Sequence, residues 1–122
     1  MSDEPTLDPG ALARLLEITG GDAAFVDELV DTYLDDALVQ LADLERAGAA
    51  SDVAAMVRPA HSLKSNSDNV GAVALTSICR ALENDARAGS VPEAVERIAA
   101  ARREFEAVRD GLLAARAARQ GV

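Results

Sequence analysis

Apolar residues along this chain recur at steps of three and four, and the recurrence is interrupted where glycine, proline or a capping residue stands. That period belongs to amphipathic α-helices, in which positions i, i+3, i+4 and i+7 share a face. The first segment is short, Ala11 to Ile18, with Leu12, Leu15 and Leu16 on one side. Asp8-Pro9-Gly10 opens it, Pro9 being suited to a first helical position, and Gly20-Gly21 stops it. Asp22 offers an N-cap to a long second helix striped by Phe25, Val26, Leu29, Val30, Tyr33, Ala37, Leu41 and Leu44. Its acids, Asp27, Glu28, Asp31, Asp35, Asp36 and Asp43, read as a solvated face, and Gly48 ends it. Ser51 is placed to cap the third helix, with Asp52 in the first turn, where the macrodipole favours negative charge. That helix runs to about Asn69, and Gly71 follows as its C-terminal glycine. A fourth spans Ala72 to Ala88 with Leu75, Ile78, Cys79, Leu82 and Ala86 as its stripe and Gly89 as its stop. Pro92 opens a fifth, reaching about Ala118, striped by Val95, Ile98, Phe105, Val108 and Leu112. Arg102 interrupts that stripe and is expected to snorkel.

No segment alternates with period two over a useful length, so the fold class is all-α. Four long amphipathic helices with short connections favour antiparallel neighbours. The expected architecture is one domain over residues 1–122: an up-down-up-down four-helix bundle, about 22–118, with a short extra N-terminal helix across one end. Composition agrees. Hydrophobic residues make up 49% of the chain but aromatics only 2%, and an Ala, Leu and Val content packs helices closely. The net charge of −9 disfavours nucleic acid and anionic membrane as partners. A single cysteine excludes an internal disulfide and fits a reducing compartment; on its stripe, Cys79 reads as a small buried hydrophobe. The opening MSDEPTLDPG lacks the basic and apolar regions of a signal peptide, and no run of 18 apolar residues exists. A cytoplasmic protein, or a domain of a larger one, is expected. A monomer is expected too, because one bundle uses all four stripes.

Advancing the third helix by roughly 100° per residue puts Val53, Met56, Val57, Ala60, Leu63, Ser67 and Val70 on one broad core side. Arg58, His61, Ser65 and Asp68 fall together on another, and Lys64 lies between the two. His61 is the chain's one histidine. Its angle argues against a core filler and leaves an incidental surface residue open. A zinc-type site wants three or four ligands, often Cys and His, and only one of each is present. The paired Glu-x-x-His motifs of a carboxylate-bridged iron bundle are absent. No strand-turn-helix elbow presents a serine nucleophile, and no Gly-rich phosphate loop is visible. The remaining chemical role is nucleophilic catalysis by the imidazole itself. A neutral ring nitrogen can attack a phosphoryl group, an ammonium nearby draws in the phosphoryl oxygens, and a small residue one turn away lets a partner close over the ring. His61, Lys64 and Ser65 supply those elements. Pro59, two residues before His61, should kink this helix near Ala55 or mark a later start, at a cost of about 3 kcal/mol in an ordinary helix interior.

The stretch His61-Ser62-Leu63-Lys64-Ser65-Asn66-Ser67-Asp68-Asn69-Val70-Gly71-Ala72 resembles the His-x-Leu-Lys-Gly-Ser-Ser and later Gly-Ala of the histidine-containing phosphotransfer (HPt) family of two-component phosphorelays. Arg58-Pro59-Ala60 resembles the Arg-x-Ala before that histidine. ICRALENDARAG, from Ile78 to Gly89, resembles the family's Cys-x-x-Leu-Glu-x-x-Ala-Arg stretch, so the similarity spans about Phe25 to Leu113. The resemblance implies that His61 is the phosphoacceptor, Lys64 the phosphate-steering cation and Glu83 a group that orients the imidazole. It implies a docking face holding Arg58, Ser65, Asp68 and Arg87. It implies response-regulator receiver domains as partners, with a hybrid sensor histidine kinase as a further candidate, and Mg²⁺ held by the receiver rather than by this chain. No autonomous kinase activity is expected. The family's usual Gly after Lys is Ser65 here, which is still small and favours helix more than Gly does. The rival reading is a helical module that binds receivers without phosphotransfer.

Overall fold

Two aspartates set the starts of the central helices. Asp22 accepts the Phe25 N–H at 3.0 Å, and Asp52 accepts the Ala55 N–H at 3.1 Å. Each satisfies a donor that the first helical turn leaves free. A computed structural model, describing residues 4–120, places five helices on the chain: α1 (Ala11–Ile18), α2 (Ala23–Ala49), α3 (Val53–Asn69), α4 (Val73–Arg87) and α5 (Ala94–Arg119). Residues 1–3 and 121–122 of the expected domain lie outside the described residues. α2 packs on α3, α3 on α4, α4 on α5, and α5 returns to α2, which closes the bundle; α1 lies against α2. No strand occurs among the described residues, and no helix there is long and apolar enough to cross a membrane.

Four sequence expectations shift by small amounts, each for a local reason. The cap of α3 is Asp52, not Ser51, which stands one residue early in the left-handed region at φ 53°. Pro9 and Pro92 lie outside their helices. Gly10 is the N-cap of α1, and Glu93, at φ 54°, is that of α5. Gly48 does not stop α2; it is buried inside the last turn. A Cβ there would stand 2.8 Å from Ile98 Cδ1, so this glycine admits α5 to close range. Phe25 and Val95 are exposed, because each sits in a first turn, ahead of the stretch where its stripe meets neighbouring helices. The rest of the stripes are buried or half-buried as the period requires, with Leu41, Leu44, Met56, Leu63, Leu75, Leu82, Phe105 and Leu112 at the centre.

The buried Tyr33 hydroxyl and Ser67 Oγ are 2.9 Å apart, which joins α2 to α3, and burial pushes the phenol up to about 12. Ser67 is therefore inward as expected, with its hydroxyl in use. Arg102 does more than snorkel: Nε and Nη2 reach the two carboxylate oxygens of Glu45 at 2.6 and 2.9 Å, tying α5 to α2. Pro59 is buried within α3, and the helix neither ends nor starts later because of it. The carbonyl it deprives of a partner belongs to Ala55, an exposed residue, so solvent lowers the cost.

The α3–α4 turn is built by close approach. Gly71 has φ +76°, and a Cβ there would stand 2.3 Å from Ala11 Cβ. The Asp8 N–H donates to the Gly71 carbonyl at 2.8 Å. α4 has no side-chain cap; instead the Ala74 N–H donates to the carbonyl of Pro5 at 3.1 Å, and Ser77 Oγ donates to the Glu4 carboxylate at 2.8 Å. The residues before α1 thus form a strap that caps α4.

Gly71→Ala should combine an unfavourable φ with this clash and lower unfolding stability by about 2 kcal/mol or more. Gly89→Ala also has positive φ, +93°, but nothing within 4 Å of the new Cβ, so it should cost only about 1 kcal/mol. Urea unfolding of the two variants measures the difference; equal losses would count against the packing of α1 on the turn.

Candidate functional site

α3 and α4 lie side by side, and between them is one buried acid. Glu83 follows the core residue Leu82 on α4, and its side chain is only 5% exposed. A buried carboxylate is costly unless its oxygens are paired. Here three donors converge on it. His61 Nδ1 lies 2.9 Å from Oε2. Arg87, one turn further along α4, brings Nε to 2.9 Å and Nη2 to 2.8 Å of the same oxygen. Lys64 Nζ lies 2.7 Å from Oε1. The ammonium of Lys64 is the largest cause holding the Glu83 carboxyl down at about 2; burial opposes it, and Arg87 and His61 assist it.

The ionised carboxylate fixes the tautomer of the ring. A carboxylate only accepts, so a neutral His61 must carry its proton on Nδ1 and donate it to Glu83. That leaves the lone pair on Nε2, on a side chain 53% exposed. The assignment follows from the hydrogen-bond partner. The site therefore offers a nucleophilic nitrogen, a carboxylate that stabilises positive charge on the ring, and an ammonium beside both.

The helical wheel places the remaining residues well. Arg58, Ser65 and Asp68 are exposed on α3 on either side of His61, and Ser65 leaves little bulk one turn away. Arg87 is 57% exposed yet engaged with Glu83. The wheel missed the pairing of Lys64 with Glu83. The i,i+4 relation of Glu83 and Arg87 is visible in the chain, but Lys64 meets Glu83 only through the register of two helices. Lys64 is also the only lysine in the sequence, every other basic side chain except His61 being arginine. That solitary use is a signal the sequence did contain.

The surface around His61 is open. One groove of about 510 Å³ is lined by α1, α2 and the end of α3, including Asp68. Another, of about 540 Å³, lies between α2 and the start of α3 and includes Arg58. His61 lines neither. Among the described residues no group of three or more His, Cys, Asp or Glu is arranged to hold a metal ion. Burial pushes the Cys79 thiol up to about 12, which makes it a packing residue rather than a nucleophile.

The chain matches the family model of the Hpt domain over residues 28–111. It is similar to a crystal structure of histidine-containing phosphotransfer protein B from Pseudomonas aeruginosa PAO1. The TM-score is 0.83 and the identity 36%, over 93% of this chain and 96% of that one. No curated protein matches the chain.

Glu83 also sets a pH dependence. Its carboxyl is lowered from 4.5 to about 2 by folding, so the unfolded chain binds more protons between those values. The stability that Glu83 contributes is complete above about pH 4.5 and is lost as pH falls toward 2. Urea unfolding of the wild type and Glu83→Gln from pH 5 to pH 2 should give a shallower pH slope for the variant; identical slopes would contradict the ionised, triply paired carboxylate.

Proposed function

This chain belongs to the Hpt domain family, and on that premise we propose that His61 takes a phosphoryl group from the phosphorylated aspartate of a receiver domain and passes it to another receiver. The observation that carries this reading is the half-exposed imidazole whose Nδ1 is held by a buried, ionised Glu83 with Lys64 at the same carboxylate. A histidine that merely decorated a helix would need neither a buried counter-charge nor a fixed tautomer.

The step begins with the Nε2 lone pair directed at phosphorus. The Nε2–P bond forms as the bond from phosphorus to the aspartyl oxygen breaks, and that oxygen leaves as the receiver's carboxylate. The ring gains positive charge while Nδ1 keeps its proton. Glu83, accepting from Nδ1, stabilises that charge and holds the ring plane. Lys64 is within reach to meet the phosphoryl oxygens. Ser65 allows the receiver to approach, with Arg58, Asp68 and Arg87 around the contact. Transfer out reverses each change: the Nε2–P bond breaks and its electron pair returns to the ring. The open surface fits this division of labour, because a partner must supply the walls of the site and the Mg²⁺ that neutralises the phosphoryl charge. On this reading the chain acts in the cytoplasm, as a monomer, between two receivers or between a hybrid kinase's receiver and a regulator.

Incubation with a phosphorylated receiver and Mg²⁺ should put acid-labile, base-stable label on the protein. His61→Gln should abolish it, and label surviving that change would overturn the assignment. Absence of label on the wild type with several phosphorylated receivers would favour the binding module instead. Lys64→Gln should keep the label but slow its appearance by about ten- to a hundredfold, the worth of one charge-assisted hydrogen bond in the transition state. Single-turnover labelling measures that rate.

A further inference from the structure

The phosphotransfer step asks Lys64 to do two things. In the resting protein its ammonium is 2.7 Å from Glu83 Oε1, yet during transfer it is needed at the phosphoryl oxygens. Withdrawing it from a buried carboxylate would leave a charge without compensation, and that is among the more expensive events in a protein interior. The arrangement on the other carboxylate oxygen answers this. Arg87 grips Oε2 through both Nε and Nη2, at 2.9 and 2.8 Å, and His61 Nδ1 binds the same atom at 2.9 Å.

We propose that Arg87 is a positioning residue for His61: it anchors Glu83 Oε2 so that the carboxylate keeps hold of the Nδ1 proton while Lys64 is released toward the incoming phosphoryl group. The inference rests on the phosphotransfer reading for its second half, and on the site geometry alone for its first. Two cations on one carboxylate leave a net positive charge beside His61, so one can be spared without an unpaired acid. The two are suited to different parts. Arginine's rigid fork suits a fixed anchor, and lysine's point charge on a flexible stem suits a group that moves between acceptors. Arg87 also lies in the last turn of α4, where the helix dipole favours a cation.

The proposal separates Arg87 the positioner from Arg87 the docking residue. Because His61 is the only histidine, the ring nitrogens can be read without ambiguity by ¹⁵N NMR, at a pH where the ring is neutral. The wild type should show the proton on Nδ1. Arg87→Gln should move the ring toward a mixture of tautomers, and Arg87→Lys should restore much of the Nδ1–H form. Phosphoramidate then serves as a donor that needs no receiver: its P–N bond breaks, releasing ammonia, as the Nε2–P bond forms. Arg87→Gln should slow this uptake by about tenfold, with partial rescue by Arg87→Lys. Arg87 is largely exposed, so circular dichroism should show an intact fold in both variants. An unchanged tautomer in Arg87→Gln overturns the proposal. So does a loss confined to receiver-borne phosphate with phosphoramidate uptake intact, which assigns the residue to docking alone. If the wild type accepts phosphate from no donor while Arg87→Gln still shifts the tautomer, the phosphotransfer reading fails and the anchoring role stands.

Discussion

The candidate site depends on keeping one carboxylate charged inside the protein. Glu83 is buried at the seam of α3 and α4, and water can do little for it. Its ionisation depends on three side chains from two helices arriving at the right height. That requirement constrains the relative register of α3 and α4 more tightly than apolar packing alone, because a slide of one helical turn would carry His61 and Lys64 away from it together. The interhelical turn, with Gly71 in a left-handed conformation and pressed against Ala11, and the strap that caps α4 through Pro5, are the local means by which that register is held.

The site's chemistry also depends on what surrounds it. The chain carries 21 acids against 12 Lys and Arg, so a cation free to face a phosphoryl group is a scarce item. Several arginines are engaged elsewhere: Arg102 with Glu45, Arg116 with Asp31, Arg119 with Asp27, and Arg97 with Asp85. These pairs mostly tie α5 back to the rest of the bundle. At the functional face the ratio inverts, with Lys64 and Arg87 sharing a single acid. An acidic protein thus presents a local positive excess at the place where a phosphoryl group would arrive, and the contrast with its surroundings sharpens the field there.

Much of this was legible in the sequence because a helix is a local object. Steps of three and four located five helices, and the wheel put His61, Ser65 and Arg58 on the outer face. What periodicity could not give was anything that depends on two helices at once. The resemblance at Cys79-to-Arg87 pointed to Glu83 as a partner of His61, but the pairing of Lys64 with the same acid needs the interhelical register. The errors at Ser51, Pro92 and Gly48 have a common source. Capping and stopping residues were judged by type, whereas the chain used Asp52 one place later, a left-handed Glu93 in place of Pro92, and Gly48 for closeness to Ile98 rather than as a stop.

The strap has a consequence for the way the molecule is assembled. Pro5 and Ala74 are joined by a backbone hydrogen bond across α1, α2 and α3, and Leu7 sits where a side chain at Gly111 would stand. Residues before α1 therefore find their seats among residues of α4 and α5. The strap completes its contacts only when α4 and α5 are both in place. α4 in turn lacks the carbonyl that caps it until the strap arrives. Segments far apart in sequence complete each other, so the helix that carries Glu83 gains its N-terminal cap only when the residues before α1 have docked on it.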